Sequence, residues 1–101
     1  MNTKDILTMA IGITSGPREI SYGEKIKNHS NIANLWSAYL DREITARDVS
    51  LMMVLLKVAR TKLGPHNEDH YVDGAGYMAI AGEISDDNKE DKQLDLFRDH
   101  S

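Results

Sequence analysis

The sequence contains no cysteine, only two prolines and a single phenylalanine in 101 residues. Without cysteine there is no disulfide scaffold, no thiolate nucleophile and no cysteine-ligated zinc or iron–sulfur site. A metal would therefore be held by carboxylates, amides or imidazoles, which makes magnesium the leading candidate. No window approaches the roughly 18 to 20 apolar residues that span a bilayer, and residues 1–14 lack the basic start and cleavage site of an export signal. We expect a cytoplasmic protein.

The formal net charge of −4 is concentrated at the C-terminal end of the chain. Residues 85–101 contain six acidic and three basic side chains, a net charge of −3, which leaves −1 for residues 1–84. No cluster of Lys and Arg forms the basic stripe that binding to duplex nucleic acid requires. The composition therefore predicts no direct binding to DNA.

Apolar side chains recur at helical spacing in four segments, which predicts helices over residues 2–14, 24–40, 46–63 and 68–84. Gly-Pro pairs follow the first and third segments and stop them, while Thr45 and Asp48 form a variant capping box before the third. No stretch alternates with the period of a strand. The sequence therefore predicts an all-α, compact bundle of about four helices, residues 1–84, followed by a disordered acidic tail, residues 85–101.

The third predicted helix is apolar around almost its whole circumference. A helix of this kind belongs at the centre of a bundle, because every side of it must be covered. Four short helices give it only three partners within one chain. The composition therefore predicts a homodimer that covers the remaining side.

Polar side chains occupy positions where a core is expected. At 100° per residue Asp69 and Asp73 each lie about 20° from Ile80 on the fourth helix, and the third helix carries Lys57 and Arg60 one turn apart. One interpretation is a structural ion pair between these helices that fixes their register. The alternative is a ligand site in which Lys57 and Arg60 bind phosphate.

In the ligand-site interpretation Glu24, Asp69 and Asp73 hold a magnesium ion that bridges phosphates. His66 and His70, four residues apart, also permit a zinc site, although polar residues at a helix start are more often solvated. The predicted ligand-binding residues are Glu24, Asn28, Asn31, Lys57, Arg60, Asp69, Asp73 and Tyr77.

A specific series of polar, glycine and aromatic residues extends through the four segments. It includes Tyr22-Gly23-Glu24, the run from Ile32 to Leu40, the run from Met52 to Arg60, and Ala75-Gly76-Tyr77. Over about residues 5–84 this series resembles a family of small phage and prophage domains. That family is similar in turn to the MazG-like all-α nucleotide pyrophosphohydrolases, in helix order and motif placement. The resemblance implies a phage-type protein in the bacterial host cell, with a nucleotide as its ligand.

MazG-like enzymes carry Glu-x-x-Glu on one helix and Glu-x-x-Asp on the next, and these acids hold magnesium against a triphosphate. The corresponding positions here are Asn28-x-x-Asn31 and Lys57-x-x-Arg60. Because amides and bases replace most of the acids, the resemblance implies binding of a nucleotide or other anionic ligand without hydrolysis. Two alternatives stay open: a magnesium-dependent nucleoside triphosphate pyrophosphohydrolase, and a structural or inhibitory protein.

The tail contains the pentapeptide Gln93-Leu94-Asp95-Leu96-Phe97. It resembles the linear motif with which bacterial polymerases and repair factors dock on the DNA sliding clamp. Leu94, Leu96 and Phe97 would enter apolar pockets while Gln93 forms a hydrogen bond at the rim, and a polar linker would let the peptide reach its groove. The alternative is an amphipathic turn that packs on the bundle.

Overall fold

The computed structural model describes residues 1–15 and 22–86, which contain four α-helices and no strand. The predicted all-α bundle is therefore confirmed for this part of the chain. None of the four described helices combines the length and the apolar content needed to cross a bilayer. The helices are α1 Thr3–Ser15, α2 Tyr22–Leu40, α3 Ala46–Arg60 and α4 Glu68–Asp86.

Two helices begin with reciprocal caps that satisfy backbone N–H groups at their first turns. At α3 the Asp48 amide donates to Thr45 Oγ1 at 3.1 Å, and the Thr45 amide donates to Asp48 Oδ2 at 3.0 Å. The predicted capping box is therefore confirmed. At α1 the Asp5 amide donates to Asn2 Oδ1 at 2.9 Å, and the Asn2 amide donates to Asp5 Oδ2 at 3.1 Å.

Three predicted helix boundaries are wrong by two or three residues, and the first of them is the start of α2 at Tyr22 instead of residue 24. The third helix ends at Arg60 instead of Leu63, because the amides of residues 61–63 donate to carbonyls three residues back and tighten the chain into a turn. Gly64 follows with a φ of 74°, the left-handed conformation that glycine adopts at helix ends. The fourth helix continues through Asp86, so the first two residues of the predicted tail are helical.

The third helix packs against both α2 and α4, and α1 packs against α4. Ser50 of α3 is fully buried, and its hydroxyl donates to the Tyr77 carbonyl oxygen at 2.7 Å, which ties α3 to α4. The central position predicted for the third helix is therefore confirmed on the sides that contact α2 and α4. The buried apolar side chains are Ala10, Ala33, Val49, Val72, Ala81 and Ile84.

Burial of α3 on every side, as its composition predicts, is not found among residues 1–15 and 22–86. Ser50 and Lys57 contact α4, and Leu55 lies on the opposite side of the helix with 67% of its surface exposed. The reason is the number of neighbours, since α2 and α4 cover only part of the circumference of α3.

Candidate functional site

One predicted ion pair joins α3 to α4. Lys57 Nζ lies 3.1 Å from Asp73 Oδ2, and the two side chains are 14% and 36% exposed. Lys57 comes from the last turn of α3, and Asp73 from the second turn of α4, where the helical period places it inward. The pairing of a predicted carboxylate with a predicted cation is therefore confirmed at these two residues.

Asp73 also lines a cavity of about 230 Å³ between α1 and α4. Apolar side chains, a hydroxyl group, a carboxylate and an aromatic residue surround it, a mixture typical of small-molecule sites. We call it the α1–α4 pocket, and its lining residues are Ile13, Thr14, Asp73, Gly76, Tyr77 and Ile80.

Gly76 sets the distance between the two helices at this pocket. A Cβ atom at residue 76 would lie 3.3 Å from Thr14 Cγ2 and 3.5 Å from Ile13 Cδ1, so a larger residue would press on α1. The Thr14 side chain is fixed in place, because its Oγ1 donates to the Ala10 carbonyl oxygen at 2.7 Å. The absence of a side chain at residue 76 therefore permits the close packing of α1 on α4 that forms the pocket.

A second, smaller cavity of about 100 Å³ adjoins the α1–α4 pocket and shares Thr14 and Ile80 with it. Lys25 of α2 lines this cavity, and its Nζ donates to the Thr14 carbonyl oxygen at 3.2 Å. The same Nζ lies 3.5 Å from Glu83 Oε1. Lys25 thus places a positive charge at the C-terminal end of α1, where cations are favourable. We call this cavity the Lys25 cleft.

Two of the residues predicted around the ion pair lie outside the pocket lining. Asp69 is exposed, so its predicted inward position is wrong. It occupies the first turn of α4, where a carboxylate is favourable in solvent near the positive helix end, and its amide donates to Asn67 Oδ1 at 3.0 Å. Arg60 is likewise exposed at the last residue of α3.

The predicted polar residues of α2 also lie at the surface. Glu24, Asn28 and Asn31 are exposed and are not among the lining residues of the α1–α4 pocket. The reason is the packing of α2, which buries Ala33 and so turns the opposite stripe outward.

The described residues contain no group of three or more His, Asp or Glu side chains placed to hold a metal ion. The structure therefore does not bring Glu24, Asp69 and Asp73 together as the predicted magnesium ligands. His66, one of the two histidines that permit a zinc site, stacks on Tyr71 with 5.7 Å between ring centroids.

The sequence did not identify several residues that shape the site. Ile13, Thr14 and Ile80 line the pocket, and Lys25 and Glu83 pair beside it. The helical period of the first segment marks Ile13 as inward-facing, but no local signal says which helix it faces. The pair of Lys25 with Glu83 joins α2 to α4 across 58 residues of sequence, and spacing alone carries no signal for such a contact.

Residues 5–85 match the family described as "Domain of unknown function (DUF6378)". The chain belongs to this family. The DUF6378 match includes all of α2 and α3, every lining residue of the α1–α4 pocket, and Lys57. Gln93, Leu94, Leu96 and Phe97, the predicted clamp-docking residues, lie outside both this match and the described residues.

Two curated relatives of this DUF6378 chain are phage proteins, which confirms the predicted phage relationship. The Gene 55 protein of Mycobacterium phage L5 is 45% identical over 76 residues, which cover 74% of this chain and 49% of the relative. The Gene 55 protein of Mycobacterium phage D29 is 34% identical over 99 residues, which cover 96% of this chain and 66% of the relative. The chain thus spans about half to about two thirds of the length of these relatives. No solved structure gives a significant match.

Proposed function

We propose that this phage-family protein is a non-enzymatic accessory protein of the host cytoplasm. Its helical body binds a nucleotide in the α1–α4 pocket, and its C-terminal peptide docks on the bacterial DNA sliding clamp. The proposal of nucleotide binding rests on the position of Asp73, which lines the pocket and is paired with the largely buried Lys57.

Asp73 gives the pocket a directed hydrogen-bond acceptor. An ionised carboxylate only accepts hydrogen bonds, and Lys57 engages Oδ2, which leaves Oδ1 for a ligand. The amino and ring N–H groups of a nucleobase are donors of the required kind. A ligand without such a donor would leave the acceptor unsatisfied at a cost of about 1 to 3 kcal/mol.

The size and walls of the pocket suit a flat ring. Ile13, Ile80 and Tyr77 supply apolar and aromatic surface, against which a base can pack. The volume of about 230 Å³ is below the roughly 300 to 1,000 Å³ of pockets that enclose a drug-sized ligand. The pocket therefore takes the base, and the sugar and phosphates extend beyond it.

The Lys25 cleft receives the phosphates in this proposal. It adjoins the pocket through Thr14 and Ile80, and Lys25 is the cation in its lining. The phosphates would displace Glu83, whose side chain is 50% exposed and lies 3.5 Å from Lys25 Nζ. Lys57 acts by positioning Asp73, since its charge is already engaged by that carboxylate. Arg60 is exposed one turn beyond Lys57 and does not line the pocket.

The alternative, a magnesium-dependent nucleoside triphosphate pyrophosphohydrolase, needs several carboxylates around one ion. Asp73 lies in the pocket, whereas Glu24 and Asp69 do not contribute to its lining. This arrangement favours binding without turnover. Pyrophosphate release with magnesium that is lost in Asp73→Asn would support the enzyme instead.

A thermal-shift panel tests the binding proposal. Nucleosides, nucleoside monophosphates and triphosphates are added to the full chain with and without magnesium, and a ligand at about 100 times its Kd should stabilise the protein by about 2.7 kcal/mol. We expect the melting temperature to rise by several degrees for at least one nucleotide. Asp73→Asn should abolish the rise, because Lys57 then occupies the single remaining oxygen and the amide NH2 group cannot accept a hydrogen bond from the ligand. The matched control Asp69→Asn should keep it, because Asp69 is exposed on the same helix. No shift with any member, or equal shifts in both variants, would contradict the proposal.

Clamp docking is supported by the pentapeptide, all five residues of which fit the motif. The full chain is titrated into a labelled bacterial clamp, and we expect saturable binding. Changing Leu96 and Phe97 together to Ala should remove it, while the flanking Arg98→Ala should have little effect. Equal binding by all three proteins, or none by the unaltered chain, would contradict this half of the proposal and leave the pocket unaffected.

A further inference from the structure

One side of α3 presents a row of exposed apolar side chains. Met52, Leu55, Leu56 and Val58 are 39%, 67%, 41% and 51% exposed. We call these four residues the α3 outer face. Met52, Leu55 and Leu56 lie about 120° to 160° around the helix from Ser50, which is fully buried and donates to α4, and Val58 lies at one edge of the face. Four large apolar side chains on one short helix form a patch of the kind that marks a protein interface.

The charges around this face are self-complementary. Asp48, Leu55 and Lys62 are spaced by seven residues, so they follow nearly one line along the helix surface. Asp48 stands at one end and Lys62 in the turn at the other, with Leu55 midway between them. If two copies pack antiparallel with a two-fold axis at Leu55, Asp48 of each copy meets Lys62 of the other.

We propose that the α3 outer face is the interface of a homodimer built on this two-fold axis. The two copies of Leu55 then meet at the centre, and Met52 and Val58 of each copy flank this contact, each about 60° around the helix from Leu55. Asp48 Oδ2 accepts the capping hydrogen bond from the Thr45 amide, which leaves Oδ1 for the lysine of the second copy. One central leucine contact and two ion pairs therefore form at once.

A second copy fits this face better than an unrelated partner because the arrangement of charge repeats itself under the two-fold rotation. Lys57 points toward α4 and Arg60 lies about 140° around the helix from Leu55, so no charged side chain of α3 lies on the line from Asp48 to Lys62. The net charge of residues 1–84 is only −1, so two copies repel each other weakly.

The interface must extend beyond α3 alone. A helix of 15 residues is about 22 Å long, and a stable dimer buries about 800 Å² on each partner. Leu63, 78% exposed just after α3, lengthens the apolar row at its C-terminal end. Because the outer face lies opposite α4, this dimer leaves the α1–α4 pocket accessible, and the proposal does not depend on nucleotide binding.

The first test measures the mass of the full chain in solution by sedimentation equilibrium over a range of concentrations. We expect twice the chain mass of 11.3 kDa. Leu55→Glu, at an exposed position where glutamate suits a helix, should raise the dissociation constant of the dimer at least about 100-fold without loss of helical circular dichroism. The matched control Leu7→Glu, at a 53% exposed leucine of α1, should leave the dimer intact. A monomer at all concentrations, or an oligomer that Leu55→Glu does not weaken, overturns the proposal.

The second test examines the register. Lys62→Glu places two carboxylates opposite each other at both ends of the interface, so we expect the dissociation constant to rise about tenfold. Adding Asp48→Asn removes the repulsion but keeps an acceptor for the Thr45 amide, and should reverse most of that rise. Arg42→Glu, in the exposed connector between α2 and α3, is the control for the change in net charge. Dimerisation unchanged by Lys62→Glu, or unrelieved by Asp48→Asn, contradicts the antiparallel pairing.

Discussion

At the scale of single residues, the pair of Lys57 with Asp73 decides what the pocket can bind. The lysine is 14% exposed and the carboxylate 36% exposed, so Asp73 is partly removed from water but remains open to the pocket side. A carboxylate in this position without its lysine would carry an uncompensated charge at the junction of α3 and α4. The pair therefore serves the fold and the proposed site together.

The strength of this pair can be measured with a double-mutant cycle. Lys57→Met should lower the free energy of unfolding by about 1 to 2 kcal/mol, below the 3 to 5 kcal/mol of a fully buried pair, because Asp73 keeps part of its hydration. Adding Asp73→Asn should recover part of the loss, with a coupling energy of about 1 kcal/mol. Urea unfolding followed by circular dichroism provides the measurement, and strictly additive effects would show that the two side chains do not interact.

Helical periodicity predicted the inward position of Asp73 correctly and that of Asp69 incorrectly. The two residues lie one turn apart and share an angular position on α4, so periodicity treats them alike. What differs is their height along the helix. Asp69 lies in the first turn and is exposed, whereas Asp73 lies opposite Lys57. The helical period gives the direction in which a side chain points. Whether that side chain is buried depends on how far the neighbouring helices extend along the helix.

At the scale of helices, the contact of α1 with α4 depends on Gly76. Gly76→Ala places a methyl group 3.3 Å from Thr14 Cγ2, so we expect α1 to be displaced and its amide protons to exchange severalfold faster, while those of α3 keep their rates. Hydrogen exchange followed by mass spectrometry or NMR resolves the two helices.

Gly82→Ala is the matched control for this change. It adds the same methyl group to the same helix with nothing within 4 Å, so only the gain in helix propensity of about 1 kcal/mol remains. Its α1 amides should exchange no faster than those of the unaltered chain. Equal exchange in α1 for the two variants would mean that Gly76 does not control the packing of α1.

Much of the helical architecture could be predicted because its signals are local. The capping box at Thr45 and Asp48 and the stop at Gly64 depend on neighbouring residues alone. The packing of α1 on α4 could not be predicted in the same way. An apolar stripe such as that of α1 suits any complementary surface, so the choice of partner is made by the whole fold.

At the scale of the whole molecule, the pocket and the proposed dimer interface occupy separate surfaces. The α1–α4 pocket lies between the first and last helices, and the α3 outer face lies on the side of α3 away from α4. The core formed by the described residues is small, since their buried apolar side chains are mostly Ala and Val. A second copy over the outer face would add apolar contacts that one chain does not supply.

This large-scale arrangement explains why composition identified an apolar central helix but not its exposed side. The apolar content of α3 shows that neighbouring elements must cover it. Only the packed structure shows which of its sides α2 and α4 cover. Prediction of the site from the sequence was limited in the same way. Chemistry-bearing residues such as Asp73 and Tyr77 could be selected from sequence, whereas the apolar wall around them comes from α1, which is distant along the chain.

Nucleotide binding in the α1–α4 pocket is tested most directly by an amide NMR titration of the full chain. The ligand is the nucleotide that gives the largest thermal shift. We expect the largest changes at Thr14, Gly76 and Tyr77, which line the α1–α4 pocket from two helices, and their loss in Asp73→Asn. Changes confined to the exposed α2 residues Glu24, Asn28 and Asn31, or no changes at saturating ligand, would contradict the account.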